Sequence, residues 1–346
     1  MKKIEIVLML LSTMFLITSC RSDNDEPTVP KPREEVNRTV LVYMIGDNGG
    51  SYNNELSSLL LQNFKDMKTG MADVNYSECN LVIYSEQRND LPHLISLKQK
   101  DGVVIADTLF TFPEQNPLDK AVLSTVIKKT LNYFPAESYG FVFLSHSSSW
   151  IPASKDANSR AIGQYRLTEM NIPDFREALL TFPKPLKFIL FDSCNMQSVE
   201  VAYELRDCAE YLIGSPTEIP GPGAPYTTVV HELFTKENTA INIASAYFKY
   251  YQDLYKPMRL PSDYDWCAGV AMSVVKSDAL ENLAIKTKSL LLKYIQKESG
   301  SIDVTGIQRY DWSSYYANYD LNGFIKSIVD DADNDDYNSW RIAFDN

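Results

Sequence analysis

A thiol and an imidazole occupy corresponding places in two similar stretches of this 346-residue chain. In KFILFDSCNMQSVEVAYEL, Lys187 to Leu205, the apolar run Phe188-Ile189-Leu190-Phe191 ends at Asp192, and Cys194 follows. In GFVFLSHSSSW, Gly140 to Trp150, the run Phe141-Val142-Phe143-Leu144 ends just before His146 and a loop of small residues. Short continuous apolar runs suit strands buried on both faces of a parallel sheet. If the two strands are neighbours, both residues leave the same sheet edge. The imidazole can then generate or pair with a thiolate, which is a nucleophile for acyl transfer. The other reading of Cys194 is an inert core residue, a common fate of unpaired cysteine.

The elements that must position this pair follow from the flanking pattern. After Cys194, residues Met196, Val199, Ala202 and Tyr203 recur at helical spacing while Gln197, Glu200 and Glu204 face away. This predicts a helix with Ser193 or Asn195 near its cap, whose positive end would lower the thiol pKa. Of three histidines, the other two lack such a setting. His93 follows Pro92 in an expected turn, and His231 lies in the helical pattern VVHELF.

Strand signals fall at Thr39 to Ile45, Asn80 to Ser85, Phe141 to Ser145, Lys187 to Phe191, Tyr211 to Gly214 and Cys267 to Val275, with Asp101 to Phe112 as a further hairpin strand. Helical patterns lie between them at Asn54 to Met67, Pro117 to Tyr133 and Met170 to Leu180, and later at Thr239 to Tyr255, Asp278 to Lys297 and Leu321 to Asp330. The alternation predicts an α/β fold with a largely parallel sheet covered on both faces. Tyr247, Tyr250, Tyr251 and Tyr255 read as core and surface amphipaths of one helix.

At the amino end, Lys2 and Lys3 precede an apolar stretch through Leu16, then Ile17-Thr18-Ser19-Cys20. The stretch is short for a membrane span, and a small residue before cysteine is a processing pattern. Residues 1–20 resemble a bacterial lipoprotein signal, which implies cleavage before Cys20, acylation of that residue, and a periplasmic or surface-exposed place in the cell envelope. An ordinary secretory signal cut nearby is the other reading. Residues 21–38 are charged and proline-bearing and read as a solvated tether, leaving 39–346 as one domain. The net charge of −12 excludes nucleic acid as a natural partner and is compatible with a basic peptide. With Cys20 acylated and Cys194 catalytic, Cys79, Cys208 and Cys267 remain, an odd number that argues against a disulfide framework. The acidic run Asp330 to Asp336 lacks the glycine and distal glutamate of a calcium loop and reads as a frayed helix end.

The segment Asp192-Ser193-Cys194 with Met196 and VEVAYEL resembles the nucleophile segment of the clostripain family of cysteine peptidases. His146 with Trp150, the opening TVLVYMIGDN with Asp47 and Asn48, and SPTEIPGPGAPY from Ser215 to Tyr226 are similar to three further segments of that family, in order. The resemblance covers roughly residues 38 to 330 and implies a caspase-like three-layer α/β/α sandwich around a mainly parallel sheet. It also implies a Cys194–His146 dyad cleaving peptides and proteins after Arg or Lys, with Asp192 binding the basic side chain. The oxyanion would rest on backbone N–H groups of Cys194 and the Ser147 loop. Self-cleavage between the dyad residues is implied too. Pro152 to Arg166 offers Lys155, Arg160 and Arg166, with Arg160 best flanked by small residues. No cofactor is required by these residues, and the resemblance leaves room for calcium at a site it does not locate.

Two departures stand out. Ser147 and Ser149 replace family glycines, and serine resists the positive φ that glycine allows. Pro222 and Ala224 stand where the family loop carries an acid and a tryptophan, leaving Asp192 alone to enforce basic specificity. A clostripain-like binding lipoprotein of little or no turnover is therefore the second reading.

Overall fold

The structure is a computed structural model. It describes residues 30–47, 55–150, 162–166, 168–255, 270–295, 302–310, 318–329 and 335–346. The chain divides into residues 1–31 and a compact unit from Pro32 to Asn346, and the latter carries everything below.

Its centre is five parallel strands. They are β1 (Val36–Ile45), β2 (Cys79–Glu86), β5 (Ala136–Leu144), β8 (Phe188–Asp192) and β9 (Tyr211–Gly214), in the order β9-β8-β5-β1-β2. Antiparallel strands finish both edges. β10 (Ser273–Lys276) pairs with β9, while β3 (His93–Lys100) and β4 (Val103–Thr111) extend the β2 side, giving eight strands. A separate pair, β6 (Ile162–Tyr165) and β7 (Thr168–Met170), forms a small sheet.

Alternation along β1 separates two apolar layers. Leu41, Tyr43 and Ile45 face one core with α2 (Lys120–Tyr133), α3 (Ile172–Leu179), α4 (Val199–Glu204), α7 (Leu280–Tyr294), α8 (Leu321–Val329) and α9 (Asp335–Asp345). Val40, Val42 and Met44 face the other with α1 (Glu55–Gly70), α5 (Tyr226–Glu232) and α6 (Thr239–Tyr255). A sheet clad on both faces must be apolar on both, which is why the central strands read as continuous runs. Close contact at the middle needs Gly140, since a Cβ there would meet the Phe188 ring at 2.5 Å.

Several expectations are corrected. β1 begins at Val36, inside the stretch read as tether, because Arg38 is fastened by its guanidinium to Leu233 O and Thr235 O. His93 opens β3 instead of lying in a turn, with Nδ1 at 3.0 Å from Thr111 Oγ1. The strand expected over 267–275 is Ser273–Lys276, residues 267–269 lying outside the described residues. Asp335 and Asp336 open helix α9, and Asp336 bonds Lys293 and Tyr294; residues 330–334 are not described. Among the described residues no group of His, Cys, Asp and Glu could hold a metal ion. No described helix is long and apolar enough to cross a membrane.

Candidate active site

The pairing register brings the thiol and the imidazole together. Leu144 at the end of β5 pairs with Asp192 at the end of β8, so His146 and Cys194 each stand two residues past the last matched pair. Parallel neighbours lie about 4.8 Å apart, and both residues emerge on one edge. They line one cavity of about 220 Å³, together with Asp192, Ser193, Leu56, Leu59, Asn63 and the loop residues Ile219, Pro220, Gly221 and Gly223.

Cys194 is not at a helix N-terminus. The next helix, α4, starts at Val199 and is capped by Ser198, whose Oγ accepts from Val201 N–H at 3.3 Å. The expected cap at Ser193 or Asn195 fails because Asn195 takes a left-handed φ of 59°. Its N–H and that of Gln197 bond Thr217 O and Ser215 O, holding 195–197 out of the helix. The thiol therefore receives no lowering from a helix end. Burial pushes its pKa up to about 11, Glu218 and Asp192 adding to the rise, against a 3.4 Å N–H donated to Sγ by Ile219. Burial also holds the His146 imidazolium pKa below its ordinary value. Both shifts favour the uncharged forms of the two side chains.

The loop after His146 is tied down by hydroxyls and a short strand. Ser147 bridges Ile162 across the chain, its Oγ lies 3.4 Å from Gly163 N–H, and Ser145 Oγ accepts from Gln164 N–H at 3.1 Å. Ser147 is absent from the residues with positive φ, so serine there is unstrained; the left-handed residue is Ser149, with φ 72°. The segment expected to be a cleavable loop thus ends sooner than Arg166. Residues 162–165 are strand, and Arg166 bonds Asp47 and Glu114. Lys155 and Arg160 lie outside the described residues.

Asp192 is buried to 3% exposure at the cavity wall. Its Oδ1 accepts from Ala224 N–H at 2.9 Å and Tyr247 Oη at 3.2 Å, and its Oδ2 from Tyr226 Oη at 2.8 Å. Burial pushes its pKa up to about 6, against these three bonds, which favour the charged form. Gly223, at φ 69°, covers the carboxylate so closely that a Cβ would stand 2.7 Å from Oδ2. Tyr251 Oη donates to Gly223 O at 2.6 Å and fixes that cover. Ala224 contributes its main chain here, which explains how the loop serves Asp192 without the family tryptophan. Tyr247 was legible only as an amphipath and Tyr226 only as the end of the segment SPTEIPGPGAPY, because their partner lies 55 and 34 residues away. Cys208 is packed in the core, 3% exposed.

A thiol and an imidazole at the ends of adjacent parallel strands, inside an α/β/α sandwich, define the class of caspase-like cysteine hydrolases. The clostripain family profile matches residues 42–340, and the chain belongs to that family. The fold is that of solved relatives. A secreted C11 cysteine protease from Bacteroides thetaiotaomicron, in complex with an irreversible peptide inhibitor, is 37% identical; the match covers 89% of this chain and 82% of that one, with TM-score 0.76. An inactive zymogen C11 protease from Parabacteroides distasonis is 31% identical over 90% of this chain and 82% of that one, with TM-score 0.74. Comparison with curated proteins gives no match.

Proposed function

We propose that this chain is a lipid-anchored cysteine endopeptidase of the cell envelope that cleaves peptide bonds after Arg or Lys. The observation that carries the reading is the Leu144–Asp192 register, which sets His146, Cys194 and Asp192 around one cavity. His146 takes the Cys194 proton while sulfur attacks the scissile carbonyl. Backbone N–H groups of Cys194 and the Ser147 loop hold the oxyanion. The imidazolium then protonates the leaving amine, and water, deprotonated by the same imidazole, hydrolyses the thioester. Asp192 meets the cationic side chain on the amino side of the cut. Arg160 is the proposed self-cleavage point, and Cys20 the acylated residue that holds the protein at a membrane.

The left-handed Ser149 in the loop after the histidine and the raised pKa of the half-buried thiol favour a second reading, a binding lipoprotein of little turnover, and the relative from Parabacteroides distasonis is an inactive zymogen. Peptide acyloxymethyl ketones ending in Arg, Lys or Leu decide between them. The first reading expects labelling of Cys194 by the basic probes, loss of label in Cys194→Ala, and a steep fall in Asp192→Asn. A wild-type protein that no probe labels, whether intact or cut, supports the second. Equal labelling by the Leu probe removes Asp192 from specificity. For the anchor, wild-type protein should partition into detergent and Cys20→Ala should not.

A further inference from the structure

We infer that Glu86, at the end of β2, positions His146 from two strands away by holding the strap β6 through Asp47 and Arg166. The inference rests on the proposed role of His146 as the base. Glu86 is 4% exposed, and its Oε2 accepts from Gly46 N–H at 3.2 Å and from Asp47 N–H at 3.0 Å. It thereby fixes the main chain where it leaves β1. Asp47, itself buried, grips Arg166 twice: its Oδ2 lies 3.0 Å from Nε, and its main-chain oxygen accepts from Arg166 N–H at 2.9 Å. Arg166 directly follows β6, whose Gln164 and Gly163 N–H groups face Ser145 and Ser147 Oγ at 3.1 and 3.4 Å. Those two serines flank His146 in the chain.

Accepting two N–H groups needs only an oxygen, which an amide would supply. A carboxylate in a place where charge is costly is explained by what lies beyond those groups. Burial pushes the Glu86 pKa up and Asp47 adds to the rise, while the two N–H groups and Arg166 oppose it. Glu86, Asp47 and Glu114 thus share one guanidinium, an excess of negative charge that keeps Arg166 at the sheet edge. Arg166 pays for that place with a left-handed φ of 54°, a conformation that a residue with a Cβ keeps only where its surroundings compel it. The strap needs such a fastening, since β6 has four residues and a single strand partner, β7. A base moved by about 1 Å loses roughly a hundredfold in rate. Partial loosening of the strap therefore lowers kcat and leaves KM alone.

The test compares wild-type, Glu86→Gln, Ser145→Ala and doubly substituted proteins at a temperature where all are folded. Three quantities are read: amide hydrogen exchange at Gly163 and Gln164, the rate at which iodoacetamide labels Cys194, and turnover of a peptide substrate ending in Arg. Glu86→Gln keeps the shape and removes the charge. In it, exchange should quicken about tenfold, labelling should slow several-fold, and kcat should fall several-fold with KM unchanged. Ser145→Ala, which cuts the last link, should slow labelling and turnover likewise. The double variant should lose little more than the worse single one, because both act through the strap, whereas a carboxylate that merely supports the fold would give losses that multiply. Unmoved exchange, faster exchange with labelling and kcat unmoved, or multiplying losses overturns the inference. If wild type turns over no substrate, the proposed function falls, and exchange together with labelling still decides the inference. Should Glu86→Gln not fold, Glu86→Asp, which keeps the charge and draws it back by one methylene, takes its place with the same expected losses.

Discussion

Ser149 holds a conformation suited to another residue. Its φ of 72° is left-handed, it is 3% exposed, and its hydroxyl finds no partner. A Cβ in that region costs roughly 1–2 kcal/mol, and a buried unpartnered hydroxyl adds to the cost. Ser149→Gly removes both and should stabilise the protein by about 1 kcal/mol, or about 2 °C in Tm for a domain of this size. Ser147→Gly should bring no such gain, since Ser147 has an ordinary φ and its Oγ faces Gly163 N–H. Thermal melts of the two variants check this. A gain at residue 147 with none at 149 would overturn the assignment of strain. Of the two serines that stand at family glycines, the strained one is therefore Ser149 and not Ser147, which adjoins the histidine.

At the scale of elements, the strap β6 governs the histidine loop. It presents Gly163 and Gln164 N–H groups to two serine hydroxyls of that loop. Its far end is pinned by Arg166, which bonds Asp47 through main chain and side chain and reaches Glu114. Arg166→Ala should leave the protein folded, lower kcat several-fold with KM little changed, and expose residues 162–166 to added protease. Unchanged kcat together with unchanged protease resistance would show that the strap needs no pin. The sequence made the central strands and most helices plain, because runs such as Phe188 to Phe191 are apolar on both faces. It hid β6 and β7, whose short segments carry little apolar pattern and are held by hydroxyls and an antiparallel partner. β3 was hidden too, since most of HLISLKQK is polar and only His93 to Leu97 lies against β2. The start of α4 was misread because Met196 continues the helical spacing, while tertiary bonds to Ser215 and Thr217 decide the backbone. The placing of His146 and Cys194 at two adjacent strand ends was legible. The bonds of Tyr226 and Tyr247 to Asp192 were not, since only the layer that α5 and α6 form on that face of the sheet brings them to it.

For the whole molecule, the sheet order β10-β9-β8-β5-β1-β2-β3-β4 has one further property. Every strand up to β5 precedes Arg160, and every strand from β6 on follows it. A cut at Arg160 therefore divides the sheet at a single joint, between β5 and β8, with the histidine on one piece and the cysteine on the other. The joint is buried and apolar on both faces, through Phe141, Phe143, Ile189 and Phe191 on one side and Val142, Phe188 and Leu190 on the other. Protein cut at Arg160 should elute from a sizing column as one species at the position of the intact chain and run as two bands in denaturant; two species in the native run would mean the joint does not hold. Once cut, the molecule is a heterodimer whose active site is a subunit interface. Its unfolding becomes a bimolecular dissociation, so its melting temperature should rise with protein concentration, and catalysis should fade on extreme dilution as the two polypeptides drift apart.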